Sequence, residues 1–183
     1  MKANLFLSFF VSTPLIAFAR EQTSAYAKQA LAAMSARNRN VQVMLEIFRT
    51  LEERDSRRGN VDEREKALYQ PDVEFHWPAA LPYGGTFRGK DAAIWSGTWN
   101  PLQPTVTERK MDPQIIGADE HQVVILYRQR GVSPSGERFD GEVIGLYELR
   151  DFKLSRAQMF YFDEAALVRF LECAERELKQ PKG

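Results

Sequence analysis

Three charged side chains in the C-terminal half of the sequence are of types that carry acid–base chemistry. The carboxylates of Glu142 and Asp163 can accept a proton, and the guanidinium of Arg128 can stabilise an oxyanion that forms as the proton moves. The imidazole of His76 or the phenol of Tyr83 can serve as the proton donor. Together these residue types predict a proton-transfer site that needs no cofactor.

The charged residues also have a purely structural interpretation. Asp163 opens a C-terminal helix, where its carboxylate can accept a backbone N–H and stabilise the helix by about 1 kcal/mol. Arg128 and Glu142 can form a cross-strand ion pair worth roughly 0.2–1 kcal/mol if it is exposed to solvent. Since burial decides between the two interpretations, both stay open at this point.

One short segment, residues 73–89, concentrates aromatic side chains among prolines and glycines. Phe75 and Trp77 alternate with Glu74 and His76, which is typical of a half-buried strand that the following proline ends. If the two aromatic residues line a pocket, His76 points away from it, and a catalytic role for His76 is disfavoured. The glycines that follow predict a tight loop over the pocket mouth, with Tyr83 on its rim.

The elements that position these residues can be read from periodicity. Apolar residues at helical spacing predict a first helix that starts at Val41, with Asn40 as its cap. A capping-box pattern at Asn60 predicts a second helix that runs to Tyr69, and a closing helix opens at Asp163. Helices, then strands joined by tight turns, then a last helix indicate an α+β fold with a curved antiparallel sheet. The strands are expected near residues 72–77, 108–117, 122–131, 138–149 and 153–162.

The turn between two of these strands determines their register. If it centres on Pro134 and Ser135, Arg128 lies opposite or diagonal to Glu142. Because side chains alternate, each face of the strand pair then carries a defined set. One set is Leu126, Arg128, Asp140, Glu142, Ile144 and Leu146, and the other is Tyr127, Val143 and Tyr147.

Composition narrows the class of partner. With 25 basic and 25 acidic residues the chain has no net charge, which disfavours a nucleic acid or an anionic membrane surface as a partner. A single cysteine, Cys173, allows no internal disulfide, and the two histidines, His76 and His121, lack the spacing of a zinc site. We therefore expect no metal site and no cofactor, and a small neutral ligand or another protein as the partner.

The N-terminus has the pattern of a secretory signal peptide. Lys2 precedes an apolar run from Leu5 to Phe18, and cleavage is expected before Arg20, which predicts an exported or periplasmic protein. The run is too short and too interrupted for a stable membrane span. The alternative is a cytoplasmic protein whose translation starts at Met34. The expected organisation is a signal peptide at residues 1–19, a linker at 20–37, one domain at 38–179 and a tail at 180–183.

Three segments, taken in their order, carry a resemblance to a known family. They are YQPDVEF at residues 69–75, PYGGTFRGKDA at residues 82–92 and FYFD at residues 160–163. In these segments the chain resembles the SnoaL-like proteins of the nuclear transport factor 2-like superfamily, over about residues 41–172. The resemblance implies a cone in which a curved sheet wraps around the helices and encloses an apolar pocket, usually in a homodimer formed through the outer sheet face. The superfamily holds ketosteroid isomerases, epoxide hydrolases, polyketide cyclases and non-catalytic modules, so the reaction must be argued from the site.

The comparison with epoxide hydrolases of this fold implies that the face carrying Arg128 and Glu142 lines the pocket. Those enzymes activate water with an Asp-Arg-Asp relay. Here the last aspartate is retained as Asp163, but the Arg-x-Asp positions read LYR at residues 126–128, which disfavours epoxide hydrolysis. Ketosteroid isomerases place their base where this chain has Trp77, which cannot accept a proton.

The expected ligand-contacting residues are Phe75, Trp77, Tyr83, Leu126, Ile144, Leu146 and Trp95.

The leading hypothesis is thus a protein that binds a small apolar or ring-bearing molecule in its cone. In its catalytic form, Asp163, Glu142 and Arg128 carry out isomerisation, cyclisation or hydration without a cofactor. The alternative is a non-catalytic ligand-binding or dimerisation module, which the missing relay favours. The catalytic form requires the three charged side chains to converge on one cavity with Phe75 and Trp77.

Overall fold

The computed structural model describes residues 38–53, 63–93 and 110–179, all of which belong to one compact unit, residues 35–183. The predicted signal peptide, the linker, the alternative start Met34, the predicted ligand contact Trp95 and the tail lie outside the described residues. Among the described helices none is long and apolar enough to cross a membrane.

The described part of the chain alternates between short helices and the strands of one sheet. In chain order the elements are α1 (Arg39–Glu53), α2 (Glu63–Ala67), β1 (Tyr69–Trp77), β2 (Gly85–Arg88), a 3-10 helix (Lys90–Ala93), β3 (Gln114–Ala118), β4 (Gln122–Val132), β5 (Arg138–Arg150), β6 (Lys153–Tyr161) and α3 (Glu164–Lys179). The six strands form a sheet in the order β2-β1-β6-β5-β4-β3. Neighbouring strands are antiparallel except β1 and β6, which run parallel. The predicted α+β class is confirmed, and the sheet is mixed because of that one parallel pair.

The boundary between α2 and β1 differs from the sequence prediction. The helix ends at Ala67, and β1 begins at Tyr69 and continues through Pro71. The pairing of β1 with β6 shifts register between Tyr69 and Glu74. Since the strand is irregular there, Pro71 sits in it without removing a ladder hydrogen bond that the sheet needs.

Asn38, rather than the predicted Asn40, caps α1. Its Oδ1 accepts hydrogen bonds from the backbone N–H groups of Asn40, at 2.9 Å, and Val41, at 3.3 Å. The side chain of Asn40 is buried instead, and its amide donates to the carbonyl oxygen of Glu120 at 2.8 Å. Asn40 therefore ties α1 to the turn between β3 and β4.

The main core lies between one face of α1 and one face of the sheet. The ring of Phe48 makes edge contacts with Tyr127 and Tyr147, at centroid distances of 5.1 and 6.0 Å. Leu45, on another side of the helix, stays exposed. Each fully buried apolar side chain stabilises the fold by about 1.5–3 kcal/mol. The other buried apolar side chains of α1 are Val41, Met44 and Ile47.

The C-terminal helix is anchored at both ends. At its start, Oδ1 of Asp163 accepts a hydrogen bond from the backbone N–H of Ala166 at 2.9 Å, so the predicted cap is confirmed. Near its end, the carboxylate of Glu177 accepts hydrogen bonds from the backbone N–H and the hydroxyl of Ser135, at 2.9 and 2.8 Å. These contacts join α3 to the turn between β4 and β5.

The buried face of α3 forms a second, smaller core with the loop after β1. Leu81 and Tyr83 of that loop pack in the same cluster as the helix. Leu178, near the end of the helix, is exposed. The buried residues that α3 contributes to this core are Leu167, Phe170 and Leu171.

Candidate functional site

The two faces of the sheet differ in burial, and the inner face is the opposite of the predicted one. The predicted register is confirmed, since Arg128 pairs with Glu142. The assignment of faces is wrong: Tyr127, Val143 and Tyr147 are buried against the core. The reason is that α1 packs on their side of the sheet, which strand alternation alone does not determine. The residues on the outer face are Leu126, Arg128, Asp140, Glu142, Ile144 and Leu146, and they are partly or fully exposed.

The predicted catalytic charges lie on this outer face and beside it. Nε of Arg128 is 2.6 Å from Oδ1 of Asp140, and its Nη1 is 3.7 Å from Oε1 of Glu142. The three side chains are 36%, 47% and 51% exposed, and ion pairs in that setting contribute about 0–1 kcal/mol. Asp163 is exposed and caps α3, and no ion pair joins it to Arg128 or Glu142 within the described chain. The structure therefore does not gather these groups in one cavity with Phe75 and Trp77.

The predicted ligand-contacting residues divide between the two faces. Phe75 and Trp77 lie on the inner face as predicted, and Tyr83 is buried beneath the loop rather than on a rim. His76 lies on the outer face as the alternation argument requires, with Nε2 3.0 Å from Glu74 and Nδ1 3.1 Å from the hydroxyl of Thr86. Leu126, Ile144 and Leu146 lie on the outer face, away from the core, so their predicted placement in the pocket is wrong.

A group of tyrosine side chains gathers on the inner face instead. The hydroxyl oxygens of Tyr83 and Tyr161 are 3.4 Å apart. The hydroxyls of Tyr127 and Tyr147 lie close enough to affect each other's ionisation, and both also interact electrostatically with Tyr161. We call Tyr83, Tyr127, Tyr147 and Tyr161 the tyrosine cluster.

The register of the sheet brings two of these residues into one row. Tyr127 on β4 pairs with Val143 on β5, and Val143 pairs with Tyr161 on β6. Directly paired residues point to the same face, so the two tyrosines flank one valine. Tyr83 reaches the same region from the loop after β1, where the Trp77 ring meets its ring edge-on at 5.6 Å.

A tight turn after β1 delivers Tyr83 to the cluster. The backbone N–H of Leu81 donates to the carbonyl of Pro78 at 3.2 Å, and that of Gly84 donates to the carbonyl of Leu81 at 2.7 Å. A Cβ atom at Gly84 would lie 2.2 Å from the oxygen of Pro78, so the turn closes only around a glycine. The glycines of this segment thus serve to bury a tyrosine.

Glycines on β5 let two aromatic rings lie flat across the strand. A Cβ atom at Gly145 would lie 2.3 Å from the hydroxyl oxygen of Tyr147, two residues further along the same face. The same relation holds between Gly141 and the ring of Phe139, at 2.6 Å. Because Tyr147 folds back over Gly145, its hydroxyl is carried along β5 towards the row of Tyr127.

Burial dominates the ionisation of the tyrosine cluster. Loss of hydration raises the pKa of all four phenols above the ordinary value of 10.0. Mutual repulsion between the phenolates raises the pKa of Tyr127 and Tyr161 further. The four hydroxyls therefore remain protonated through the physiological range and act as hydrogen-bond donors.

The chemistry that this arrangement supports is recognition of an oxygen atom in an apolar setting. Hydroxyl donors in a site of low dielectric stabilise negative charge that develops on a carbonyl or enol oxygen. Among the described buried residues Glu65 alone has an acidic or basic side chain, and its carboxylate accepts a hydrogen bond from the hydroxyl of Tyr69. An ion-pair mechanism has no groups on the inner face of the described sheet.

The sequence carries a signal for the tyrosine cluster. Residues 139–147, FDGEVIGLY, alternate aromatic or small residues with polar or branched ones. An aromatic residue two positions from a glycine on the same face, as in Phe139 with Gly141 and Tyr147 with Gly145, indicates a ring lying across the strand. Gln129, which the sequence did not single out, is buried on the same face.

Comparisons with known proteins agree with the fold. A family model described as a SnoaL-like domain matches residues 45–157. A search of curated protein sequences found no match.

Solved structures with the same fold are distant in sequence. TerC, co-crystallised with polyporic acid, is 20% identical, and the match covers 73% of this chain and 98% of TerC with a TM-score of 0.60. A proposed polyketide cyclase from Xanthomonas campestris pv. campestris is 18% identical, with 74% and 98% covered and a TM-score of 0.57. A nuclear transport factor 2-like protein of unknown function from Burkholderia pseudomallei K96243 is 20% identical, with 73% and 97% covered and a TM-score of 0.55. At these identities the likeness establishes the fold, and the predicted cone architecture is confirmed.

Gly145→Ala is expected to disturb the tyrosine cluster. The new methyl group must push the Tyr147 ring off the strand, at a cost of about 1–3 kcal/mol in the free energy of unfolding. Urea unfolding and near-ultraviolet circular dichroism measure the loss. Gly117→Ala on β3 is the matched control, because nothing lies within 4 Å of its would-be Cβ. Equal stability and unchanged tyrosine dichroism in both variants would contradict the arrangement.

The tyrosine cluster also predicts loss of stability in alkali. In the unfolded chain the phenols ionise near pH 10, whereas the pKa of each buried phenol is higher in the folded protein. The stabilisation is complete below pH 10 and is lost as the pH rises towards the folded-state pKa. Phenolate absorbance of these residues should therefore appear together with unfolding, and reversible ionisation in the native fold near pH 10 would be the contrary result.

Proposed function

Because the chain belongs to the family of SnoaL-like domains, we propose that it binds a small, largely apolar, ring-bearing molecule on the inner face of its sheet. The observation that carries the proposal is the tyrosine cluster: hydroxyl donors collected on an otherwise aromatic and aliphatic surface. Aromatic side chains provide ring contacts, and a few polar groups fix orientation, which is the usual composition of a small-molecule site.

A ligand complex of another protein with this fold supports the proposal of small-molecule binding. TerC has this fold and was crystallised with a small molecule, polyporic acid. The proposal extends that property to this chain on the strength of the inner-face residues. Trp77 and Phe75 supply ring surface beside the tyrosine cluster.

A second candidate function adds catalysis to binding, as a cofactor-independent isomerase, cyclase or hydratase. Protonated tyrosine hydroxyls in a site of low dielectric favour it, because they stabilise an enolate or alkoxide as it forms. Asp163 and Glu142, which the sequence predicts as proton acceptors, lie outside the core and are not the proton acceptor in this second candidate function. The non-catalytic module remains the alternative, and it differs only in releasing its ligand unchanged.

Native mass spectrometry of the purified protein tests ligand binding. We expect a co-purified or added ring-bearing molecule to shift the mass of the wild type, and Tyr161→Phe to weaken that adduct because one donor is lost. Lys153→Ala, at an exposed position on the same strand, is the matched control. The extracted molecule is then returned to fresh protein, where a new product supports catalysis and unchanged ligand supports the binding module. Absence of any bound molecule at saturating concentrations of aromatic ketones would refute the proposal.

The same spectrum gives the N-terminal mass, which distinguishes the proposed export after residue 19 from a start at Met34.

We further propose that two copies of the chain associate through the outer sheet face. Leu126, Ile144 and Phe160 lie side by side in one row across β4, β5 and β6, and the Phe160 side chain is 49% exposed. An apolar row in the middle of an exposed sheet face is a surface that association would bury.

Phe160→Glu is expected to convert a dimer into a monomer. The carboxylate would have to be desolvated in the interface, so light scattering or sedimentation should report the mass of one chain rather than two. Leu45→Glu, an exposed leucine on α1, is the matched control and should leave the dimer intact. A wild type that is monomeric at high concentration would be evidence against this interface.

A further inference from the structure

The outer face of β1 and β2 carries a hydroxyl, an imidazole and a carboxylate that are hydrogen-bonded in that order. Nδ1 of His76 is 3.1 Å from the hydroxyl oxygen of Thr86, and its Nε2 is 3.0 Å from Oε2 of Glu74. A nucleophile, a base and a third group that orients the base form the same chain in enzymes that transfer acyl groups. These three side chains lie on the face of the sheet opposite to the tyrosine cluster, so the proposed ligand site does not use them.

The pairing of β1 with β2 explains why the three groups meet. His76 lies directly opposite Thr86 in the register. The backbone N–H of Gly89 donates to the carbonyl of Val73 at 2.8 Å, so these two residues form a hydrogen-bonded pair. Because hydrogen-bonded and non-hydrogen-bonded pairs alternate along an antiparallel ladder, His76 and Thr86 form a non-hydrogen-bonded pair, in which the side chains are closer. Glu74, two residues before His76 on the strand, points to the same face.

Arg88 determines how the protons are arranged along this chain of groups. Its Nε donates to Oε1 of Glu74 at 2.7 Å, and this hydrogen bond, with a second from His76, holds the pKa of the Glu74 carboxyl below its ordinary value. An ionised carboxylate can only accept, so Nε2 of His76 carries the hydrogen of that contact. In the neutral imidazole Nδ1 then keeps its lone pair and accepts the hydrogen of the Thr86 hydroxyl. The imidazole is thereby placed as a base towards the hydroxyl.

A small substrate can reach this chain from the solvent. Thr86 is exposed, and the side chain of His76 is 23% exposed. Among the described strands β2 has only β1 as a neighbour. Since Thr86 belongs to a non-hydrogen-bonded pair, its backbone N–H points away from β1 towards the sheet edge. That N–H can donate to an oxyanion that forms next to the Thr86 hydroxyl.

We propose that Thr86, His76 and Glu74 form a second site that hydrolyses small esters of good leaving groups such as phenols. This site goes beyond the ligand binding proposed for the inner face and does not depend on it. Thr86 and His76 are its catalytic residues, and Glu74 is a positioning residue that acts through His76.

The reaction proceeds in two balanced steps. Oγ1 of Thr86 attacks the ester carbonyl carbon while Nδ1 of His76 takes the hydroxyl proton, and the phenol leaves with that proton as its C–O bond breaks. Water then attacks the acyl-threonine and gives a proton to Nδ1. The acid leaves as the bond to Oγ1 breaks, and Oγ1 recovers the proton. One ester and one water become one acid and one phenol.

Hydrolysis of para-nitrophenyl acetate by the full chain, followed as release of para-nitrophenol, tests the site. Thr86→Val keeps the branched shape and removes the hydroxyl, so kcat/KM should fall at least about tenfold. Thr86→Ser restores a hydroxyl and should keep kcat/KM within about threefold of the wild type. His76→Gln should lower the rate as strongly as Thr86→Val. His121→Gln, at the other histidine, is exposed and controls for direct reaction of a surface imidazole.

Glu74→Gln tests the positioning role. The glutamine amide can donate to Nε2 and so favour the wrong tautomer of His76, which should lower kcat at least about tenfold while KM changes less than about twofold. Asp72→Asn, at an exposed carboxylate on the same strand, is the matched control and should leave both constants unchanged.

The acyl intermediate gives a readout that does not depend on the rate. Trypsin releases residues 67–88 as one peptide, which contains Thr86 but no lysine or serine. After reaction with para-nitrophenyl acetate and an acid quench, this peptide of the wild type should carry one acetyl group, which fragmentation assigns to Thr86. The same peptide from His76→Gln should carry none.

The contrary outcomes are distinct. Equal rates in the wild type, Thr86→Val and His76→Gln would overturn the site and reveal a contaminating esterase or background reaction. A rate that depends on His76 but not on Thr86 would make the imidazole the nucleophile and would also overturn it. Thermal unfolding confirms that each variant is folded. None of these results bears on ligand binding by the inner face, which native mass spectrometry tests separately.

Discussion

The packing of α1 against one face of the sheet is the constraint on which the rest of this structure depends. The Phe48 ring meets the rings of both Tyr127 and Tyr147 in a T-shaped arrangement, so the helix and the tyrosines share one core. Once that face is covered, strand alternation assigns every other side chain of β4 and β5 to the interior or the surface. The chemical character of the inner face, with its hydroxyls and rings, follows from the packing of α1 on it.

Glycine has a specific purpose in this site. Gly145 and Gly141 weaken a strand by removing packing surface, yet each makes room for an aromatic ring from two residues along. The result is that the rings of Tyr147 and Phe139 lie over Gly145 and Gly141 on the inner face of β5. The fold accepts a less regular strand in exchange for the position of the Tyr147 hydroxyl.

The outer face carries the charged side chains that the sequence predicts as catalytic on β4 and β5. Arg128, Asp140 and Glu142 form a ladder in contact with water, where such pairs add little stability. Charges of this kind keep an exposed sheet face hydrated, and the apolar row of Leu126, Ile144 and Phe160 lies among them. The interior, by contrast, relies on neutral hydroxyl and amide groups, whose burial costs less than that of ions.

The sequence by itself determined the class of the fold, the register of β4 with β5 and the cap of α3. The turn at Pro134 placed Arg128 opposite Glu142. Strand alternation placed His76 on the face opposite to Phe75 and Trp77. The position of Asp163 before the last helix predicted that it caps α3. These are local properties, set by spacing along the chain and by backbone hydrogen bonding. Only the tertiary structure decided which face of the sheet α1 covers, because alternation separates the two faces without saying which one is inner, and both faces carry apolar residues. Leu126, Ile144 and Leu146 therefore lie on the outer face, and Tyr127, Tyr147 and Gln129 lie on the inner face. The physical reason is that burial between α1 and the sheet, which joins residues far apart in the chain, determines which of the two faces is the inner one.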